Sequence, residues 1–172
     1  MTASTIILTG IADLPMPVQE VLENLVETAR TVFGTLQSVV LFGSAAEGHL
    51  RPTSDLNVLV IAADMEAIRL EGMRASLRTG RAAAGLTVMF LQTTELADAS
   101  ESFAMKFADI KARHRLLFGA DPFNTLEIPR VAAIRRLRQV VLNLTVRLRE
   151  RYAFDGDDGE RTLVASHENP EQ

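Results

Sequence analysis

The chain has 172 residues, of which 47% are hydrophobic and 23% charged, and its formal net charge is −4. These values fit one globular domain with a buried core, and the absence of cysteine excludes disulfides and thiolate metal sites. No apolar run reaches the roughly 18 residues that cross a bilayer, and the N-terminus has no secretory-signal pattern, so we expect a cytoplasmic protein without membrane attachment.

The negative charge is concentrated at the C-terminal end. Residues 155–172 hold six carboxylates and one arginine, whereas the rest of the chain is close to neutral. This balance lacks the basic bias of a general nucleic-acid binder, so the sequence does not support a nucleic-acid partner. The acidic composition predicts a disordered tail at 154–172.

Apolar spacing predicts an alternation of helices and short strands. In the second helix, Ile68, Met73 and Leu77 are expected to point inward. The predicted elements, in chain order, are an edge strand or lead-in at 5–8, a helix from Pro15 or Pro17 to Gly34, strands at 38–42 and 56–61, a helix from Asp64 to Leu77 or beyond with its end bracketed by Gly80 and Gly85, a strand at 86–91, a helix after Thr93, a helix at 103–112, a strand at 116–119, and a last helix from Glu127 or Pro129 to about Tyr152.

The connection between the first two core strands carries the most informative pattern. The first strand ends in Gly43-Ser44, and ten residues later Asp55-Leu56-Asn57 opens the second. Side chains alternate between the two faces of a strand, so Asp55 and Asn57 point the same way and Leu56 points into the core. A glycine-serine turn and a polar strand edge are thereby brought together.

This pattern resembles the nucleotidyltransferase superfamily, which includes DNA polymerase β, aminoglycoside nucleotidyltransferases and minimal prokaryotic nucleotidyltransferases. The family pattern is a hydrophobic strand, Gly-Ser, about ten residues and then Asp-x-Asp, and this chain departs from it at Asn57. The resemblance covers roughly 18–118 and implies an α+β fold: a small mixed sheet backed by helices, with a long C-terminal helix. The expected division is a nucleotidyltransferase-like domain at 1–125, a C-terminal helix at 126–153 and the acidic tail at 154–172.

The resemblance also implies a site for a nucleoside triphosphate and Mg²⁺. Gly43 and Ser44 correspond to the phosphate-binding turn, and Asp55 to the first metal carboxylate. Asn57 occupies the position of the second carboxylate, and Thr87 that of the third. Relatives use three carboxylates to hold two Mg²⁺ ions, since hard oxygen ligands supply both coordination and countercharge.

Two of the three carboxylates are therefore replaced, and a further acid, Glu47, follows Gly-Ser where many relatives carry a basic residue. We interpret the domain as a pseudoenzyme that binds a nucleotide or a protein. One alternative is an active Mg²⁺-dependent nucleotidyltransferase that transfers a nucleoside monophosphate to an unknown acceptor, with Asp55 as chief ligand. Another is an antitoxin-like partner of a small helical toxin.

The last helix carries seven arginines but no interleaved aromatic residues, which favours solvated helix sides over an RNA surface. Its apolar seam, from Ile134 to Leu148, either packs within the monomer or pairs with a second copy in a homodimer. His49 is interpreted as an exposed loop residue, and His114 as part of the solvated end of a helix. Neither lies at a metal-ligand spacing from an acid.

Overall fold

The computed structural model describes residues 8, 10–51, 54–128 and 130–155. This part of the chain contains four strands and five α-helices. Their bounds are α1 Met16–Val32, β1 Leu36–Phe42, β2 Leu56–Ala62, α2 Ala67–Ala84, β3 Leu86–Gln92, α3 Leu96–Ser102, α4 Ala104–Ala112, β4 His114–Gly119 and α5 Arg130–Asp155, with a 3₁₀ turn at Thr93–Glu95.

The strands form one mixed sheet in the order β3-β2-β1-β4. β1 runs antiparallel to both β2 and β4, while β2 and β3 are parallel. The parallel pair requires a crossover, which α2 supplies. The predicted α+β fold class, a small mixed sheet backed by helices with a long C-terminal helix, is confirmed.

Both faces of the sheet are covered, and for this reason β1 and β2 are continuous apolar runs. On one face Val39, Leu41 and Val58 pack with α1 and α2. On the other face Val40 and Leu59 pack in a second cluster, whose further members are Phe42, Ile61, Phe107, Ile110 and Phe123. α4 contributes Phe107 and Ile110 to this second cluster and therefore lies over the face opposite α1 and α2.

The structure corrects two details of the predicted second helix. Helix α2 begins at Ala67, because Asp64 accepts a hydrogen bond from the Glu66 N–H in the preceding loop instead of capping the first turn. Ile68 was expected to point inward but is 70% exposed, whereas Met73 is fully buried as predicted. The helix ends at Gly85, whose left-handed conformation (φ +63°) lets β3 start at once.

The chain divides into two compact units, 1–129 and 130–172, and α5 is described here by itself. The seam residues of this helix are between 46% and 64% exposed: Ile134, Leu137, Val141, Leu144 and Leu148. The predicted strand at 5–8, apart from Leu8, and the predicted acidic tail beyond residue 155 lie outside the described residues. None of the helices in the described ranges is long and apolar enough to span a membrane.

Candidate functional site

The chain turns sharply where β1 ends. Gly43 has a φ of +79°, in the left-handed region that glycine adopts without steric cost. The Ala46 N–H donates to the Gly43 carbonyl at 3.0 Å, and the His49 N–H donates to the Ser44 carbonyl at 2.9 Å. In the described part of the chain, the N–H groups of Ser44 and Ala45 donate no hydrogen bond. Ser44 is partly exposed but Ala45 is fully buried, so of these two donors the Ser44 N–H is the one left for an anionic ligand.

Four side chains form a row across the sheet beside this turn. Phe42 of β1 pairs with Asn57 of β2, and Asn57 pairs with Thr87 of β3. On its other side Phe42 pairs with His114 of β4. Paired residues of neighbouring strands point to the same face and lie about 5 Å apart. We call His114, Phe42, Asn57 and Thr87 the site row.

Asp55 precedes β2 and lies beside the start of β3. A Cβ placed on Gly85 would be 3.8 Å from its carboxylate oxygen Oδ1, which shows how closely the carboxylate approaches that turn. The Asn57 amide nitrogen Nδ2 donates to the Asp55 carbonyl at 3.2 Å. Asp55 is exposed and Asn57 is half-buried. The fold therefore gathers the predicted residues Gly43, Asp55, Asn57 and Thr87 at one end of the sheet.

These residues do not fit a two-metal site. The ligand set contains one carboxylate, one amide and one hydroxyl, and the amide nitrogen is held by the Asp55 backbone. No group of three or more His, Asp or Glu side chains that could hold a metal ion occurs among the described residues. Two dications need more countercharge than Asp55 alone supplies.

Glu47, in the loop after the turn, shares the guanidinium of Arg113 with Asp109. Its carboxylate lies 3.0 Å from Arg113, which also binds Asp109 at 2.5 Å. Hydrogen bonds with Asp109, and then with Glu47, raise the pKa of Arg113 above its usual value. The repulsion of phosphate expected from Glu47 is reduced, because its charge is shared with an arginine.

Arg115 fixes the other side of the same loop. Its guanidinium binds the Asp13 carboxylate and donates to the carbonyls of Gly10 and Ala46. The hydrogen bond to Arg115 lowers the pKa of Asp13. Arg115 thus ties the segment before α1 to the loop that follows Ser44.

His114 was expected at the solvated end of a helix. It is instead the first residue of β4. Its Nε2 lies 3.2 Å from the Asp121 carboxylate, and its ring packs on Phe123 with centroids 4.8 Å apart. The cluster of basic residues around it suggested a solvated helix end, but β1 pairing converts this segment to a strand. His49 is exposed, as predicted.

One residue beside the row was missed in the sequence. The Lys106 ammonium, from the first turn of α4, lies 6.0 Å from the centroid of the Phe42 ring. Sixty-four positions separate these residues in the chain, so no local pattern connects them. The three-residue spacing of buried residues in α4 predicts that Phe107 is buried, but it does not predict which residue Lys106 contacts.

No family model and no curated protein matches the chain. Among solved structures, spectinomycin adenyltransferase AAD(9) from Enterococcus faecialis, with ATP and spectinomycin, is similar at a TM-score of 0.56 and 14% identity, over 77% of this chain and 68% of that chain. A toxin–antitoxin structure with AMP-PNP is similar at a TM-score of 0.41 and 17% identity, over 79% and 96% of the two chains. The complex of tri-AMPylated Shewanella oneidensis HEPN toxin with MNT antitoxin gives a TM-score of 0.38 at 17% identity, over 81% and 97%.

The likeness to the adenyltransferase shows the fold. The chain has the nucleotidyltransferase fold, and the resemblance found in the sequence is confirmed at that level.

Proposed function

We propose that this domain binds a nucleotide at the Gly43–Ser44 turn and does not carry out two-metal nucleotidyl transfer. One observation carries the proposal: Asn57 and Thr87 are register partners at the strand ends beside the turn. They occupy the positions where the family resemblance calls for the second and third carboxylates. An amide and a hydroxyl therefore stand where the transfer chemistry needs negative charge.

The energetic cost of these replacements is large. Two unit charges 4 Å apart attract by about 4 kcal/mol at an effective dielectric constant near 20. Each missing carboxylate removes attraction of this order for each metal ion nearby. Asp55 remains, but a single exposed carboxylate binds Mg²⁺ weakly because water competes for both partners.

Features that hold a phosphate group are retained. The backbone N–H of Ser44 is not used by the described part of the protein, and Ser44 is partly exposed. Oriented backbone N–H groups at a tight turn bind phosphate oxygens. The loop behind them is fixed through Arg113 and Arg115, which gives the turn a defined geometry.

Isothermal titration of ATP, GTP, CTP and UTP tests the proposal, with each titration run in EDTA and in Mg²⁺. We expect at least one nucleotide to bind and no pyrophosphate to be released. Gly43→Ala should weaken binding, because a side chain at φ +79° is strained. The matched control is Gly34→Ala, where an added Cβ meets no atom within 4 Å.

Two results would contradict the proposal. Absence of binding for all four nucleotides in both buffers would remove the nucleotide from the function. Pyrophosphate release by the wild type in Mg²⁺ would instead support the alternative of an active nucleotidyltransferase, in which Asp55 is the chief metal ligand and Ser44 contacts the triphosphate.

A second function is favoured by the exposure of α5: we propose that its seam makes protein contacts. Leu144 is 55% exposed and Leu148 64% exposed. The seam has the spacing of a helix that packs against another helix. A homodimer through Ile134–Leu148 and a complex with a small helical partner, as in an antitoxin, are the two forms of this proposal.

Sedimentation velocity over a range of concentrations distinguishes these forms. A homodimer should sediment at twice the 18.8 kDa chain mass, and Leu144→Asp should return it to a monomer. Asn143→Asp introduces the same charge at the neighbouring off-seam position and should have no effect. A wild type that is monomeric throughout, but retains a small co-expressed protein that Leu144→Asp loses, would favour the partner over the homodimer.

A further inference from the structure

Besides Asp55, a second charged side chain lies near the site row. It is Lys106, the third residue of α4. Its ammonium lies over the Phe42 ring, at 6.0 Å from the centroid. Phe42 pairs with Asn57 in the site row, and neighbouring strands are about 4.8 Å apart. Lys106 therefore places a positive charge over the site row, one strand away from Asn57 and two strands away from Thr87.

Among the residues that the structure describes, this lysine has no carboxylate partner. Lys106 forms no salt bridge with any described residue, whereas Arg113 and Arg115 at the same end of the sheet each bind acidic side chains. α4 carries no acidic residue in its first turn, where the helix dipole disfavours a positive side chain. An unpaired cation in an unfavourable helix position is left to attract an anion.

The replacements in the site row change the hydrogen-bonding character of the site. A carboxylate only accepts hydrogen bonds, whereas the Asn57 amide and the Thr87 hydroxyl both donate. The Asn57 amide carries two N–H bonds, and the contact with the Asp55 carbonyl uses one of them. Acceptors suited to a metal ion are thus exchanged for donors suited to phosphate oxygens.

The charged residues around the site row also favour phosphate over a metal ion as the ligand. Glu47 is paired with Arg113, and the Asp121 carboxylate lies against His114. Asp109 shares Arg113 with Glu47, and Asp55, which is exposed to solvent, forms no salt bridge with any described residue. With Asp at positions 57 and 87, the site row next to Phe42 would carry two further acids. In this chain those two positions hold neutral donors.

We infer that the site binds the phosphate groups of its nucleotide without a metal ion, with the Lys106 ammonium in place of the cation and with Asn57, Thr87 and the Ser44 N–H as donors. This inference rests on the proposed nucleotide-binding function and specifies the chemistry of that site. Charge-assisted hydrogen bonds from an ammonium to phosphate are stronger than neutral ones, so one lysine contributes substantially to affinity.

Titration of ATP into the protein in EDTA tests the inference. We expect the wild type to bind in EDTA, with Mg²⁺ producing no gain in affinity. Lys106→Gln should weaken ATP binding by about tenfold or more, the usual effect of losing a charged hydrogen-bond partner. Arg78→Gln is the matched control, because Arg78 is an exposed cation on α2, against the opposite face of the sheet.

Adenosine separates a phosphate contact from a general effect on the pocket. Its binding should be equal in wild type and Lys106→Gln, because adenosine has no phosphate. Equal losses for ATP and adenosine would overturn the assignment of Lys106 to phosphate. Equal ATP affinities in Lys106→Gln and Arg78→Gln would do the same. Circular dichroism of both variants establishes that they are folded.

The outcomes distinguish this inference from the proposed function. Binding of ATP that appears only with Mg²⁺ and is unchanged in Lys106→Gln overturns the metal-free site but leaves nucleotide binding in place. Absence of binding of ATP, GTP, CTP and UTP in either buffer overturns both.

Discussion

Carboxylates placed at positions 57 and 87 should repel each other in the absence of metal, and Mg²⁺ should turn this repulsion into a net stabilisation. Asn57 and Thr87 are register partners in parallel strands, so carboxylates at both positions lie about 5 Å apart. Their repulsion is about 1 kcal/mol in water-like surroundings and about 3 kcal/mol at an effective dielectric constant near 20. Asn57 is half-buried and Thr87 is exposed, so we expect a value between these limits.

A double-mutant cycle isolates this repulsion. Asn57→Asp, Thr87→Asp and the double variant are unfolded in urea in EDTA, with far-UV circular dichroism as the signal. Asn57→Asp alone also loses the hydrogen bond to the Asp55 carbonyl, and this loss cancels in the cycle because it occurs in both arms. The remaining coupling free energy should be unfavourable by about 1–3 kcal/mol in EDTA.

Mg²⁺ should reverse the sign of the coupling, because Asp55 and the two new carboxylates then form the three-carboxylate set of the family pattern. The wild type and the two single variants should respond much less. A coupling near zero in EDTA, or a double variant indifferent to Mg²⁺, would refute the geometry on which the site is built. Either result would mean that positions 57 and 87 do not act on a common ion.

Three further predictions concern stability. Phe107→Ala should lower the free energy of unfolding by about 3–5 kcal/mol, because the ring is fully buried under the sheet. Gly119→Ala should cost more than about 3 kcal/mol, since φ is +81° and the new Cβ would collide with the backbone oxygen of Gln37 in β1; Gly34→Ala is its control. Asp13→Asn should lower the melting temperature at neutral pH, and this difference should vanish at low pH because the pKa of Asp13 is lowered from 3.8 by Arg115.

The sign of the last effect follows from the direction of the shift. A carboxylate whose pKa is lower in the folded state stabilises the fold at pH values above its unfolded pKa. That contribution is lost as the pH falls through the folded pKa, so wild type and Asp13→Asn begin to converge below about pH 4 and become equal once the pH is below the lowered pKa of Asp13. Parallel melting curves down to pH 2 would contradict the contact with Arg115. Urea unfolding measures the loss in the free energy of unfolding for Phe107→Ala and Gly119→Ala. A loss below about 1 kcal/mol would contradict the burial of Phe107 or the steric conflict at Gly119, respectively.

Strands and the first helix were predictable because their patterns are local. The apolar runs of β1 and β2 are buried on both faces, and no other placement removes so much apolar surface from water. The resemblance also located the turn at Gly43 and the strand entry at Asp55. The fold it implies is confirmed, while the roles of the residues remain predictions.

The errors and omissions have a different origin. Ile68 was placed inward on helical spacing, but it lies in the first turn of α2, where its side chain remains largely exposed. His114 was misread because pairing with β1, not local composition, makes its segment a strand. Lys106 was missed since its contact with Phe42 exists only after the sheet has formed and α4 has packed on it.

The strand order has a consequence for synthesis of the chain. β1 occupies an interior position, with one edge paired to β2, only a short loop away, and the other to β4, whose first residue is His114. On the ribosome, at about 5–20 residues per second, the second edge of β1 therefore stays unpaired for several seconds after the strand has emerged. An unpaired apolar strand edge can pair with another chain and so promotes aggregation. The strand order therefore predicts that slow translation between β2 and β4 lowers the yield of folded protein.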